Sequence, residues 1–390
     1  MTLPTVLVLA AVVVGLPGLA AAAHLGLLAI GSLLYRDAPP RSGAGRRFLV
    51  LVPAHDEERV IAPCLAAIAA DRRARDRVLV VADRCTDRTA EIARGFGAMV
   101  LERGERERPG RAAARQAGLE HARSLDWDAV VMLDADSVVE PGFFAACERA
   151  LGTGAAAVQA RSEGRRGRTL ASEAALAAFT LQGVTIPRGR DRLGLQVRLR
   201  GTGMAIRRDV ALAHRFHAPA SEDLFFTLDL LLDGVRCRHV EDARLHSAGA
   251  ETWGAFGGQK VRYEAGRMAA ARAYAPRLLA LALRRRDPAC LEAAWFLATP
   301  PFALAVLSAL AGTALASVAG AWPVAAVLGA GVLALALTLV TGLVQARAGL
   351  RTWLALLAAP WYVGWKAVVQ LRALASVLRR DAHYGPTARV

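Results

Sequence analysis

The sequence predicts an α/β protein: a doubly wound, Rossmann-like domain with a mixed sheet, flanked by transmembrane helices. Short apolar runs alternate with helix-length segments from residue 47 to about residue 158. Two long stretches, Thr2 to Tyr35 and Ala293 to Ala346, carry no Asp, Glu, Lys or Arg. The chemically versatile side chains follow the apolar runs directly, where open parallel sheets bind their ligands.

Composition narrows the partners. The 390 residues leave room for more than one domain, and 54% hydrophobic residues is too many for a wholly soluble chain. The net charge of +15 comes from Arg, since Lys260 and Lys366 are the only lysines. A basic excess suits nucleic acid, anionic lipid or phosphorylated substrates. No zinc finger, RNA-binding signature or aromatic-interleaved basic stripe accompanies it, so nucleic acid is not expected. Cys64, Cys85, Cys147, Cys237 and Cys290 form no C-x-x-C pair and fit a reducing compartment.

In chain order, residues 1–35 form an N-terminal transmembrane anchor, long enough for the roughly 20 apolar residues a span needs. No basic residue precedes Arg36, so a retained anchor is expected rather than a cleaved signal peptide. Arg36, Arg41, Arg46 and Arg47 then hold the following domain in the cytoplasm, across a linker at 36–46 rich in Pro, Ser and Gly. Phe48–Val52 is a strand with apolar residues throughout, the mark of a parallel-sheet interior. A helix from Glu57 to Ala70, a strand from Arg77 to Ala82 and a helix from Thr86 to Phe96 follow. Next come a strand at 98–101, a helix from Arg111 to Arg123 and a strand at 129–133. Beyond them, strands are expected at 155–161, 200–207 and 235–240. Ser221 N-caps a helix from Leu224 to Asp233, and another helix spans Gln259–Tyr274. The loop Arg165-Arg166-Gly167-Arg168 reads as a solvated basic turn.

The domain thus runs from 47 to 286. Residues 287–346 make two transmembrane helices, broken at Gly320-Ala321-Trp322-Pro323. Arg284–Arg286 before them and Arg347 and Arg351 after them both belong inside. Residues 347–390 form a cytoplasmic loop, an interfacial or re-entrant helix around Trp353, Trp361 and Trp365, and a basic tail.

Val130-Val131-Met132-Leu133 runs into Asp134-Ala135-Asp136. Two carboxylates one residue apart at a strand end are either a solvated turn or a site for a hard divalent cation shared with phosphate oxygens. Around this pair stand Val52-Pro53-Ala54-His55-Asp56-Glu57-Glu58, Val80-Val81-Ala82-Asp83-Arg84-Cys85-Thr86-Asp87, and Gly110-Arg111. Gly201-Thr202-Gly203-Met204-Ala205, Ser221-Glu222-Asp223 and Gln259-Lys260-Val261-Arg262-Tyr263 follow in order.

This ordered set resembles the membrane-bound family 2 glycosyltransferases, inverting enzymes of the GT-A fold related to cellulose, chitin and hyaluronan synthases and to lipid glycosyltransferases. The resemblance runs from about Phe48 to Met268. It implies transfer of a sugar from a nucleotide-sugar donor, a UDP-sugar first, to a lipid or saccharide acceptor at the bacterial inner membrane, in building an envelope polysaccharide or glycolipid. By that likeness Pro53, Ala54, Glu57 and Asp83 hold the nucleotide, and Arg111 faces phosphate or ribose, with Arg where relatives have Lys. Asp134 and Asp136 form the D-x-D pair that holds Mg²⁺ or Mn²⁺, Asp136 the firmer ligand and Asp134 also near the ribose. Gln259 and Arg262 reach the donor diphosphate. Gly203, Met204, Glu222 and Tyr263 line the acceptor site, with Tyr where relatives have Trp, and Asp223 is the catalytic base. Asp87 reads as a cap or turn residue, and His246 as either a further metal ligand or a structural histidine. The alternatives are a processive polysaccharide synthase, an inactive sugar-nucleotide-binding membrane scaffold and a nucleotidyltransferase. Against the first stand few membrane spans and no F-x-V-T-x-K motif; against the others stand Asp136, Asp223 and the Gln259–Tyr263 face.

Overall fold

The computed structural model describes residues 2–37, 45–164, 173, 176, 177, 179–217, 221–247 and 253–379; of residues 253–260, 373, 374 and 376–379 it describes the backbone alone. The basic loop Arg165–Arg168, the Gln259 side chain, most of the linker and the tail beyond 379 lie outside the described residues. After the helix α1 (Leu3–Leu33) come β1 (Phe48–Ala54), α2 (Ile61–Asp71), β2 (Arg77–Asp83), α3 (Thr89–Gly95), β3 (Met99–Arg103), α4 (Arg111–His121) and β4 (Ala129–Met132). β5 (Ser137–Val139), α5 (Phe143–Gly152) and β6 (Ala157–Gly164) follow, then a π-helical turn (Leu181–Thr185) running into α6 (Ile186–Arg192). The domain continues with β7 (Met204–Arg207), α7 (Arg208–Ala213), α8 (Glu222–Leu232), β8 (Cys237–Ser247) and α9 (Trp253–Arg285).

The strands form one eight-stranded sheet in the order β3-β2-β1-β4-β7-β6-β8-β5. β3, β2, β1 and β4 are parallel, as the alternating pattern predicts. β7 enters antiparallel beside β4, so the sheet turns mixed at that point. Alternate residues of β1 enter opposite layers: Phe48, Val50 and Val52 pack under α2 and α5, Leu49 and Leu51 under α4. A strand buried on both faces has no polar side to show, hence its continuous apolar run. Pro53 lies beyond the last residue of β1 paired with β4, so its missing N–H breaks no bond on that side. Gly118 lets α4 settle on the sheet, since a Cβ there would stand 2.5 Å from Leu51 Cδ1.

Several elements differ from expectation. α2 starts at Ile61, not Glu57, because Asp56 takes a φ of 52° and the Val60 and Ile61 N–H groups turn back onto the Glu57 carbonyl. β5 and α5 carried no clear signal, β5 being only 3 residues long. The C-terminal apolar region breaks twice. Besides the expected break before α12 (Trp322–Gln345), Thr299-Pro300-Pro301 separates α10 (Pro288–Ala298) from α11 (Phe302–Val318) with a 72° bend.

The helices α1, α12 and the stretch Leu350–Arg372 are each long and apolar enough to cross a membrane, and α10 with α11 would pass as one bent span. Leu350–Arg372 comprises a short helix α13 (Leu350–Leu354), a 3₁₀ turn and the start of α14 (Ala359–Arg379), so it is longer than its apolar part. Pro360 does not break it, since it sits in the first turn of α14 where no helical N–H is needed. α1 packs on α11 through small residues: a Cβ on Gly18 would meet the Ala309 nitrogen at 2.5 Å. Pro17 interrupts the α1 ladder there, and the Ser308 hydroxyl bridges it, accepting from Gly18 N–H at 3.0 Å and donating to the Val14 carbonyl. α10 behaves differently from a span. Its Ala289, Cys290, Ala293, Ala294 and Leu297 share a core with Leu224, Leu228 and Leu231 of α8 and with Ala270, Tyr274 and Leu278 of α9.

Candidate active site

The site lies at the carboxyl ends of β1, β2 and β4, where α4, α8 and α9 converge. β4 ends at Met132, and Asp134 to Ser137 closes a turn through the Ser137 N–H on the Asp134 carbonyl at 3.0 Å. Thr202 clamps this turn, its hydroxyl accepting from the Asp134 N–H at 3.1 Å and meeting Ser137 Oγ at 2.8 Å. Asp136 is nearly buried at the turn's far end.

Arg115, one helical turn beyond Arg111 on α4, organises the centre and was not singled out from sequence. Its side chain is fully buried. Nη1 donates to Glu222 Oε1 at 2.8 Å, and Nη2 donates to Asp134 Oδ1 at 3.1 Å and to the Gly201 carbonyl at 2.8 Å. Phe216 lies under the guanidinium at 5.7 Å. A signal existed: positions 111 and 115 share one helix face, and the alanines between them leave that face no other cation.

Arg111 reaches the other oxygen of Asp134 at 3.4 Å from a half-exposed position. Acids from β4 and α8 surround it, and Asp134, Glu222, Asp136 and Asp223 together hold its proton more firmly. Arg262 on α9 is pushed the other way, by burial and by Arg111. Two guanidinium groups near enough to repel, beside a carboxylate pair, make a place for an anion with a cation.

Asp223 sits in the first turn of α8. Burial, then the neighbouring Glu222 charge, raises its carboxyl above the usual range, while Arg198 and Arg115 draw it back. Ser221 occupies the cap position in a left-handed conformation, φ 53°, and makes no side-chain cap. The Leu224 N–H finds Asp223 instead, whose Oδ1 accepts from it at 2.8 Å. The Glu222 carboxylate turns inward onto Arg115.

The remaining expected site residues divide. Pro53 and Ala54 are buried backbone at the end of β1, and Glu57 follows in the turn with its N–H on Thr89 Oγ1 at 2.8 Å. Asp83 is buried, and its carboxylate accepts from Arg103 at 2.6 Å and Gly110 N–H at 3.3 Å. Tyr263 meets Arg198, whose guanidinium also lies 5.3 Å from its ring. Met204 faces the core, fully buried between β4 and β6, so its side chain does not line an acceptor site. Gly203 is required by packing, since a Cβ there would come within 2.3 Å of Leu245. Asp87 is a turn residue, accepting from Thr89 N–H and Glu58 N–H at 2.9 Å each. His246 hydrogen-bonds Glu140 at 2.6 Å, which favours its structural reading.

A search for families and relatives adds the decisive observation: the family described as "Glycosyltransferase like family 2" matches residues 45–266. The chain belongs to this family. The matched stretch takes in every residue of the site just described. No curated protein matches the sequence. Among solved structures, this family 2 glycosyltransferase resembles the mannosyltransferase PcManGT from Pyrobaculum calidifontis in complex with GDP-Man and Mn²⁺. The two are 21% identical over 85% of this chain and 98% of that one, with a TM-score of 0.54. This likeness shows the fold, GT-A, as the sequence predicted. TarS 1–349 from S. aureus with UDP-GlcNAc is 18% identical over 53% of this chain and 59% of that one, TM-score 0.40. Glucosyl-3-phosphoglycerate synthase from Mycobacterium tuberculosis with Mn²⁺, UDP-Glc and phosphoglyceric acid is 23% identical over 55% and 76%, TM-score 0.41.

The donor set suits a hard cation. Asp134 and Asp136 offer carboxylate oxygens, which Mg²⁺ and Mn²⁺ prefer. Each Asp134 oxygen also lies near an arginine. Among the described residues, Asp56, Cys85 and Asp87 also bring ligand atoms within 4.8 Å of one another. That group is a turn, for Asp56 caps Thr86 N–H at 2.7 Å and Asp87 caps Thr89.

Proposed function

We propose that this family 2 enzyme is a membrane-bound, metal-dependent inverting glycosyltransferase. It moves a sugar from a nucleotide-sugar donor, a UDP-sugar first, to a lipid or saccharide acceptor at the bacterial cell membrane. The observation that carries the reading is Arg115: one buried guanidinium fastens the Asp134 end of β4 to the first turn of α8, and so holds the acid pair beside Asp223. The mannosyltransferase of the same fold was captured with a nucleotide sugar and Mn²⁺, in line with that use of the acids.

In this reading Pro53, Ala54, Glu57 and Asp83 border the nucleotide, and Arg111 and Arg262, with Gln259, face the diphosphate. Asp136, with Asp134 near it, would hold Mg²⁺ or Mn²⁺, which would supply positive charge to the leaving diphosphate. Arg262 adds a charge-assisted hydrogen bond to the same oxygens. Asp223 takes the proton of the accepting hydroxyl as that oxygen attacks the anomeric carbon. One base and no protein nucleophile make a single displacement, hence inversion. The raised affinity of Asp223 for a proton favours this role, because it strengthens the base.

The domain from 47 to 286 lies in the cytoplasm with α10 packed on it, α1 anchors it, and α11 and α12 cross the membrane with arginines inside at both ends. The test is direct. Detergent-solubilised enzyme is incubated with UDP- and GDP-sugars and Mn²⁺, and donor turnover is followed for the parent and Asp136→Asn. Turnover of one donor class by the parent and its loss in the variant are expected. Equal turnover by both would move the metal elsewhere.

A further inference from the structure

Two more arginines stand beside Asp223 without a task in the transfer itself. Arg198 and Arg200 lie on the extended segment before Gly201, both half-buried. Arg198 is spoken for by Tyr263. Arg200 is not: its Nη1 is shut off from solvent and has no hydrogen-bond partner among the described residues. It runs along the π-helical turn, where a Cβ on Gly183 would stand 3.1 Å from that same nitrogen. Burial and the neighbouring Arg198 push Arg200 down to about 10, so this cation is held at a cost. Asp223 attracts both groups, yet one carboxylate faces two guanidinium groups. Glu264 does not make up the difference, being paired with Arg267 at 3.1 Å and Lys366 at 3.8 Å.

Behind Arg200 the chemistry changes. Its guanidinium lies 4.4 Å from the ring of Phe179. The same ring forms part of the wall of a cavity of about 660 Å³, lined also by Leu176, Val184, Val138, Ala346 and Thr352. That is the size of a small-molecule site. Glu163, which also borders it, is neutralised by Arg161 at 2.6 Å. The cavity reaches the turn between α12 and α13 at Ala346, Ala348 and Gly349. Here an apolar helix ends and Arg347 and Arg351 begin, the level of a membrane surface.

We propose that the acceptor is an anionic amphiphile, whose acid group lies against Arg198 and Arg200 beside Asp223 and whose hydrocarbon occupies the cavity behind Phe179. The proposal rests on the glycosyl-transfer reading for the accepting oxygen only. The acid group itself answers the Arg200 nitrogen left without a partner among the described residues, and Leu176, Phe179, Val138 and Val184 of the cavity wall answer the chain. An acid of this kind forms charge-assisted hydrogen bonds with both guanidinium groups. Lodged there, it sets the adjoining hydroxyl next to the base.

The test uses the full chain in dodecyl maltoside, titrated calorimetrically with decyl phosphate, decanol and inorganic phosphate. UDP with Mn²⁺ is titrated into the same samples. Decyl phosphate should bind saturably and at least about tenfold more tightly than either decanol or inorganic phosphate. Arg200→Ala should weaken it about tenfold or more, leave UDP binding alone, and melt no lower than the parent, because it removes an unpaired buried charge. Ala348→Phe, at the surface turn, should weaken decyl phosphate while sparing inorganic phosphate. Inorganic phosphate binding as tightly as decyl phosphate would overturn the amphiphile. Equal affinity for decanol, or decyl phosphate binding untouched by Arg200→Ala, would overturn the acid site. Failure of the parent to bind UDP or GDP with Mn²⁺ would count against the glycosyl-transfer reading, and the alkyl phosphate titrations would still decide this one.

Discussion

Replacing Arg115 by Met tests the centre of the site most severely. The guanidinium is fully buried and neutralises Glu222 at 2.8 Å and Asp134 at 3.1 Å. Met fills much of the same volume, but it takes this cation from two mostly buried carboxylates, of which Asp134 keeps Arg111. Removing one partner of a buried ion pair costs about 3–5 kcal/mol, because the remaining charge stays desolvated. At about 2–4 °C per kcal/mol for a sizeable domain, Arg115→Met should lower the melting temperature by roughly 6–20 °C. Arg111→Met is the control. Arg111 reaches the same Asp134 at 3.4 Å, but its side chain is 46% exposed, so the loss should stay below about 1 kcal/mol. The assay is thermal unfolding of purified protein in detergent, followed by tryptophan fluorescence. Arg115→Met combined with Glu222→Gln should recover part of the loss, since it removes one orphaned charge. A melting temperature for Arg115→Met as near the parent's as that of Arg111→Met would refute the reasoning.

Other expectations follow from the same geometry. Asp223→Asn should lower sugar transfer about 10²-fold or more with little change in UDP binding by calorimetry. In the parent, transfer should fall as pH drops through a value above the usual carboxylate range, because Asp223 must be unprotonated to act. The native state also holds the Asp223 proton more tightly than the unfolded chain, so its charge costs stability above that pH. Asp223→Asn should therefore melt at or above the parent's temperature at pH 8. Ser308→Ala strips the bridge between Gly18 N–H and the Val14 carbonyl and should cost about 0.6–1.7 kcal/mol. Ser317→Ala, whose hydroxyl bonds its own helix at Thr313, should cost less in the same unfolding assay. For topology, a membrane-impermeant thiol reagent on intact cells should label a cysteine at Ala321 and spare one at Gly167; labelling at Gly167 would invert the assignment.

What the sequence revealed and what it hid have physical reasons. The parallel half of the sheet was legible because strands buried on both faces are apolar throughout, as in Phe48–Val52 and Val130–Met132. The acids at their ends were legible because a charge so close to an apolar run has to serve a purpose. Arg115 was not, since a buried arginine in a helix looks the same in sequence as an exposed one until its partners are brought near. They come from 19 and 107 residues away. Met204 was given to the acceptor by its place in a motif, while its strand sits in the middle of the sheet, where side chains have only core to enter. Ser221 has the chemistry of a cap but the backbone of a tight turn, and backbone conformation decides. The prolines at 300 and 301 were in plain view, yet without a charge to mark an end the apolar stretch read on through them.

The core shared by α8, α9 and α10 has a practical consequence for anyone who wants the catalytic part on its own. Cutting the gene after residue 286, where charge and hydropathy suggest a border, would peel α10 off Leu224, Leu228 and Leu231. Those leucines belong to the helix whose first turn carries Asp223. The cut would also strand Arg267, which donates to the carbonyls of Leu297 and Thr299. Arg267 stands little more than one turn along α9 from Arg262 and Tyr263, so α8 and α9, two of the helices that furnish the site, would lose their backing together. A shortened protein should thus extend at least through Thr299, ending at the proline pair where the chain itself turns.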